Sequence, residues 1–131
     1  MKRVHVAVAV ILSKSNQVLI AKRHAHLHQG GKWEFPGGKV ENTENTEAAI
    51  IRELKEEVDL QVTSSMPFMT ISHDYSDKQV LLDIHTVTNF TGEAKGNEGQ
   101  QIKWVTITEL AAIDFPEANK AIVAKLQQQY L

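Results

Sequence analysis

The chain has 131 residues, 14 Lys and Arg against 16 Asp and Glu, and a formal net charge of −2, which offers no positive surplus for gripping duplex phosphates, so no polymeric nucleic acid partner is expected. At 42% hydrophobic and 23% charged residues, with no apolar run near the roughly 18 residues of a membrane span, the composition is that of an ordinary soluble globular protein with one core. The absence of cysteine excludes disulfides and thiol nucleophiles and is compatible with a reducing cytosol, so the cytoplasm is the default expectation; a monomer is the default oligomeric state.

The opening MKRVHVAVAVIL imitates the apolar region of a signal peptide. Its Val4, Val6, Val8, Val10 and Leu12 alternate on one side, however, and no small-residue cleavage site follows, which predicts a first β-strand. Ser13 to Gln17 supply turn residues and Val18 to Lys22 resume an apolar run, so the two strands are expected to pair as a hairpin. The polar loop from Arg23 to Lys32 carries His24, His26 and His28. They could in principle bind zinc, but without cysteine partners exposed side chains are expected. Trp33 to Phe35 reads as a short strand that Pro36, Gly37 and Gly38 end in a tight loop.

Asn45 or Thr46 can cap a helix running to about Val58, with Ala48, Ala49, Ile51, Leu54 and Val58 on its apolar face. Within it Glu53 and Glu57 lie one turn apart, and Glu56 falls within roughly a 100° arc of both. Like charges so spaced destabilise an isolated helix by a few tenths of a kcal/mol each, an arrangement that asks for a cation between them. Further on, strands are expected near Pro67 to Tyr75 and Gln79 to Phe90, a second hairpin turned at Ser76, Asp77 and Lys78. Gly92 and Gly96 to Gly99 mark a mobile acidic loop holding Glu98, followed by a strand from Ile102 to Val105 and a capping box of Thr106 with Glu109. Asp114, Phe115 and Pro116 introduce a last helix to about Gln129, with Ala118, Ile122 and Leu126 along one stripe. The order predicts an α/β protein with a mixed sheet between helices, and no linker or repeat calls for a second domain within residues 1–131.

From Gly38 the chain reads Gly, five residues, Glu44, seven residues, Arg52-Glu53, two residues, Glu56-Glu57. This resembles the Nudix box. WEFPGGKVE, the GNEGQ loop and DFPEAN, with matching spacing along nearly the whole chain, look like the MutT branch of that superfamily. The resemblance implies a Nudix-type α/β/α sandwich that hydrolyses a nucleoside triphosphate by water attack at the β-phosphorus, with Mg²⁺ as cofactor and Mn²⁺ as a possible substitute. It implies Glu53, Glu56, Glu57, Glu98 and the Gly37 carbonyl as metal ligands, hard oxygen donors that suit such ions. Arg52 is expected to orient a carboxylate, Glu53 or Glu98 to take the proton of the attacking water, and Lys39 to neutralise phosphate charge. Arg23, Lys78 and His28 are expected at the substrate, Phe35 and Leu82 along the base pocket, and Asn119 at the edge of an oxidised guanine. The implied reaction converts 8-oxo-dGTP to 8-oxo-dGMP and pyrophosphate; the rivals are a CTP or modified-pyrimidine pyrophosphohydrolase and a non-hydrolytic nucleotide-binding module. One residue departs from the pattern: Asp59 stands where glycine is usual, which predicts a left-handed residue at about 1 kcal/mol expense.

Overall fold

The computed structural model describes residues 2–26 and 30–131, so His28 lies outside the described residues. Its elements in chain order are β1 (Lys2–Ile11), β2 (Gln17–Lys22), β3 (Trp33–Glu34), β4 (Gly37–Lys39), α1 (Thr46–Val58), β5 (Gln61–Asp74), β6 (Lys78–Thr91), β7 (Ile102–Thr106) and α2 (Lys120–Tyr130), with 3₁₀ turns at Thr108–Ala112 and Glu117–Asn119. The strands form a four-stranded sheet in the order β4-β1-β6-β5 and a three-stranded one in the order β3-β2-β7. The first is mixed, since β1 runs parallel to β6 while β4 and β5 are antiparallel to their neighbours.

Alternation along β1 builds a core on each face. Val8, Val10 and Leu12 pack with Val18, Ile20, Ile84 and Val105 against Ile122, Val123 and Leu126 of α2. Ala7, Ala9 and Ile11 pack with Leu19 and Val87 against Ala49, Ile50, Leu54 and Val58 of α1. Helix, sheet layer and helix therefore stack in the α/β/α order the sequence implies. The small Ala7 and Ala9 on the α1 side let that helix lie close, and Ile50, Leu54 and Val58 are fully buried there.

Three expectations need correction. The first two strands do not pair as a hairpin: apart from a bridge between Leu12 and Val18, β1 joins one sheet and β2 the other. The strand at Trp33 does end before Pro36, but Gly37 and Gly38 do not form a tight loop. Gly37 to Lys39 form β4, in register with Val8, Ala7 and Val6, because a glycine there brings the backbone closer to β1 than any side chain allows; a Cβ on Gly37 would run into the Ala7 carbonyl. Finally, β5 starts at Gln61, ahead of the expected Pro67, and register shifts at Val62/Ser64, Ser64/Met66 and Pro67/Met69 break the alternation that would have revealed it.

Both ends of α1 match the sequence. Asn45 accepts from the Ala48 N–H at 2.8 Å, a cap worth about 1 kcal/mol. At the other end Asp59 sits at φ 60° and ψ 31°, the left-handed conformation expected. The first turn is also tied sideways, Thr46 Oγ1 donating to Asp83 at 2.6 Å and the Ser65 N–H to Glu47 at 2.9 Å. These ties fix the azimuth of the helix that carries the acidic turn. The Thr106–Glu109 capping box forms in both directions, 2.9 and 3.2 Å.

Candidate active site

The C-terminal half of α1 lies against β4. The Gly37 N–H donates to Glu57 Oε2 at 3.1 Å, and a Cβ on Gly38 would collide with the Glu53 carboxyl. The glycine pair thus lets two carboxylates rest directly on strand backbone. Glu57 is half-buried and its carboxyl is pushed up to about 8, first by burial and then by the charges of Glu53, Glu98 and Glu34, against the opposing pull of the Gly37 N–H. Burial also raises Glu53, with Arg52 pulling the other way. Glu56 stands at the exposed rim of the cluster, its side chain 59% exposed and 3.6 Å from Arg52, and its charge also raises Glu53.

Arg52 is the hub of this end of the site. Its Nε and Nη2 grip Glu44 at 2.7 and 2.9 Å, Nη1 reaches Glu53 at 2.7 Å, and Nη2 also donates to the Lys39 carbonyl at 3.1 Å. The guanidinium consequently stays charged, its pKa raised by these bonds, and Glu53 is fixed in place. The expected orienting role of Arg52 has its geometry here, and Glu44 emerges as the anchor of that arginine.

Glu98 arrives from the glycine loop, exposed, and lines a small recess with Glu34, Glu57, His24 and Gln100. The loop is tied to the end of α1: the Lys95 N–H donates to Val58 O at 2.9 Å, the Asn97 N–H to Glu57 O at 3.0 Å, and the Asn97 side chain to the Lys55 and Glu56 carbonyls at 3.4 and 3.3 Å. These bonds satisfy carbonyls that a helix end leaves open. His24 is half-buried at the recess and stacks on His26 at 5.6 Å between ring centroids, so of the two described histidines of this loop only His26 is exposed as expected.

A cleft of about 370 Å³ opens beside Glu57, Gly37 and Gly38. Arg23, Lys39, Phe35, Leu82 and Asn119 all line it, together with Glu34, Tyr75, Pro116 and Ala118. Phe35 is 4% exposed and stacked on Phe115 at 5.0 Å, so it is mainly core and offers the cleft an edge. Asn119 makes no capping bond to α2, which leaves its amide available to the cleft. Lys78 lies in an adjoining recess with Arg23, Lys39 and Tyr75, its Nζ 5.6 Å from the Tyr75 ring centroid.

Two participants escaped the sequence reading. Glu34 holds Arg23 through Nη1 at 2.6 Å, and its carboxyl is raised by burial despite that partner. It stands between Trp33 and Phe35 in the WEFPGGKVE segment, where nothing marks a role for it. Gln100 donates to Glu57 O and accepts from the Glu98 N–H; the GNEGQ segment contains it, but nothing in the segment marks a role for it.

Among the described residues no three acidic or imidazole side chains close around a single point. What is assembled is a set of hard oxygens crowded by like charge, and that donor chemistry fits a hard divalent cation. Fold and site together define a hydrolase scaffold for phosphoric anhydrides, with the acidic turn of a helix beside a cleft furnished with cationic side chains.

The chain belongs to the NUDIX family: the NUDIX domain model matches residues 7–125. Family members generally work with a divalent metal, in keeping with these donors. The chain is 38% identical to the 8-oxo-dGTP diphosphatase of Escherichia coli over 98% of its length and 99% of that protein, and 34% identical to the CTP pyrophosphohydrolase of the same organism over 90% and 85%. A MutT structure described for Aliivibrio salmonicida and Vibrio cholerae superposes with a TM-score of 0.88 at 41% identity, covering 98% of this chain and all of that one.

Proposed function

We propose that the protein hydrolyses 8-oxo-dGTP to 8-oxo-dGMP and pyrophosphate with Mg²⁺, Mn²⁺ substituting, and so clears an oxidised precursor before polymerase can insert it. The observation that carries this reading is one cleft that brings both kinds of group together: Glu57, Gly37 and Lys39 line it along with Asn119, Phe35, Leu82, Pro116 and Ala118. An amide offers both a donor and an acceptor to a purine edge, and apolar walls suit a base. Similarity to the 8-oxo-dGTP diphosphatase of Escherichia coli over nearly both whole chains supports it.

In this reading Glu53, Glu56, Glu57, Glu98 and the Gly37 carbonyl hold the cation. When bound, it supplies polarisation of phosphoryl oxygens and a lower pKa for bound water. The oxygen of water attacks the β-phosphorus, the bond from that phosphorus to the oxygen bridging toward the α-phosphorus breaks, and the bridging oxygen leaves with the nucleoside monophosphate. Glu53 takes the proton, its carboxyl held in place by Arg52. Lys39, Arg23 and Lys78 neutralise the phosphate chain, and Asn119 reads the base. No helix among the described residues is long and apolar enough to cross a membrane; a cytoplasmic monomer acting on a small nucleotide completes the proposal.

The CTP pyrophosphohydrolase relative supports a second reading in which the base differs and the reaction is kept. Steady-state kinetics on oxidised and normal triphosphates decide between them: 8-oxo-dGTP is expected to give the highest kcat/KM, and preference for CTP overturns the first reading. Nucleotide binding without pyrophosphate release from any triphosphate overturns both and leaves a binding module.

A further inference from the structure

Among the bonds that tie the Glu98 loop to α1, one side-chain amide also reaches the backbone of Glu98 itself. Gln100 Nε2 donates to the Glu57 carbonyl at 3.0 Å while Gln100 Oε1 accepts from the Glu98 N–H at 2.9 Å. A carbonyl can only accept and an N–H can only donate, so the two partners dictate the orientation of the amide, and a flipped amide would lose both bonds. The loop returns tightly around it: a Cβ on Gly96 would run into the Gln100 carbonyl, Gly99 takes φ +79°, and the Gly99 N–H donates to Gly96 O at 3.0 Å. Gln100 is half-buried and lines the recess that Glu57 and Glu98 share.

We infer that Gln100 is a positioning residue for the cation-binding carboxylates, setting the Glu98 segment of the loop against the Glu57 segment of the helix. The inference rests on the reading of Glu57 and Glu98 as ligands. The two residues are 41 positions apart and belong to different elements, and among the described residues Gln100 is the one side chain that bonds to the backbone of both. Partners that orient metal ligands in this way typically govern affinity by 10- to 100-fold.

The neighbouring Asn97 supplies the control, since its side chain bonds to the Lys55 and Glu56 carbonyls of the same helix end and makes no bond to the Glu98 N–H. Titration of the full chain with Mn²⁺ alone, followed by the electron paramagnetic resonance of the free ion, measures affinity without turnover. Glu98→Gln is expected to weaken Mn²⁺ binding, and Gln100→Met to weaken it about tenfold. The double variant is expected to bind no more weakly than Glu98→Gln alone, because the glutamine acts through that carboxylate. Asn97→Ala is expected to lower the thermal midpoint and leave Mn²⁺ affinity in place. Gln100→Ala substitutes where the Met variant does not fold. Wild-type affinity in Gln100→Met, an additive double variant, or an equal loss in Asn97→Ala overturns the inference while the ligand reading survives. Indifference of Mn²⁺ binding to Glu98→Gln overturns the ligand reading and the inference with it.

Discussion

Arg52 holds Glu44 with two nitrogens, at 2.7 and 2.9 Å, and spends its third on Glu53 at 2.7 Å. The planar fork of the guanidinium fixes the Glu53 carboxylate from a base that Glu44 itself clamps, something a lysine cannot reproduce. Arg52→Lys is therefore expected to lower kcat by roughly 10- to 100-fold with a smaller change in KM. Steady-state kinetics at saturating Mg²⁺ check this, and an unchanged kcat removes the arginine from the mechanism.

The same pair has a signature in acid. Hydrogen bonds from Arg52, and next the Glu41 N–H, hold the Glu44 carboxyl down to about 2 from an ordinary 4.5. A folded-state pKa below the unfolded value contributes stability that is fully present above 4.5 and is lost as the pH falls through about 2. Wild type and Glu44→Gln are thus expected to differ most in unfolding free energy near neutrality and to converge across that window. Urea unfolding followed by the fluorescence of Trp33 and Trp104 at a series of pH values measures the gap. A gap that does not narrow contradicts the assignment.

If Glu53 accepts the proton of water, Glu53→Gln keeps its shape and its bond to Arg52 but cannot take that proton. Turnover is expected to fall roughly 100- to 10,000-fold with an unchanged unfolding midpoint. Glu98→Gln, on an exposed loop, is expected to act mainly on the metal concentration needed for half-maximal rate. An inverted outcome, with the larger kcat loss at Glu98, would transfer the role of base to the loop.

Glu34 and Arg23 are coupled across the strand pair, where Glu34 of β3 faces Ala21 of β2 in register and the Arg23 N–H donates to Lys32 O at 2.8 Å. Their ion pair is 26% and 31% exposed, so water screens part of its strength. A double-mutant cycle of Arg23→Ala and Glu34→Gln in kcat/KM for the preferred triphosphate is expected to show coupling of about 1 kcal/mol. Strictly additive losses would mean that Glu34 does not act through Arg23.

How far the chain could be read depends on the range of the physics. The α1 helix, its Asn45 cap, the acidic turn and the left-handed Asp59 are local features, written in periods of three and four residues. The Thr106–Glu109 box and the β5–β6 hairpin are equally local. The partner of β1 is β6, which pairs Val4 with Val80 and Ile11 with Val87, and nothing in either strand names the other; adjacency in sequence pointed instead to β2. Gly37-Gly38 read as breakers because composition alone does not reveal that a neighbouring strand and a glutamate need the space. Glu34 and Gln100 lie within the WEFPGGKVE and GNEGQ segments, but their roles exist only once separate elements meet.

Asn119 separates specificity from stability. Its side chain caps nothing, and α2 begins after a 3₁₀ turn at Glu117–Asn119, so Asn119→Ala is expected to leave the unfolding midpoint within about 2 °C of wild type, as substitutions away from structural bonds do. If its amide reads the base, the preference for 8-oxo-dGTP over dGTP is expected to fall roughly 10- to 100-fold, the worth of one or two buried hydrogen bonds. Parallel kcat/KM values for the two nucleotides test this, and an unaltered ratio assigns recognition to another part of the cleft.

Asp59 gives the sharpest test of backbone against side chain. At φ 60° and ψ 31° its Cβ crowds the following peptide, and its own N–H donates to the Leu54 carbonyl, which closes the helix. Glycine removes the crowding and keeps the bond, although it also loosens the unfolded chain, which offsets part of the gain. The balance favours Asp59→Gly by about 0.5 to 1 kcal/mol. Asp59 is exposed and follows the acidic turn, so kcat/KM is expected to stay the same while the urea midpoint rises. Alanine at the same position keeps the strain and loses the short polar side chain that eases it, and is expected to lower the midpoint. Should glycine and alanine move stability in the same direction, the left-handed backbone is not what limits this helix end.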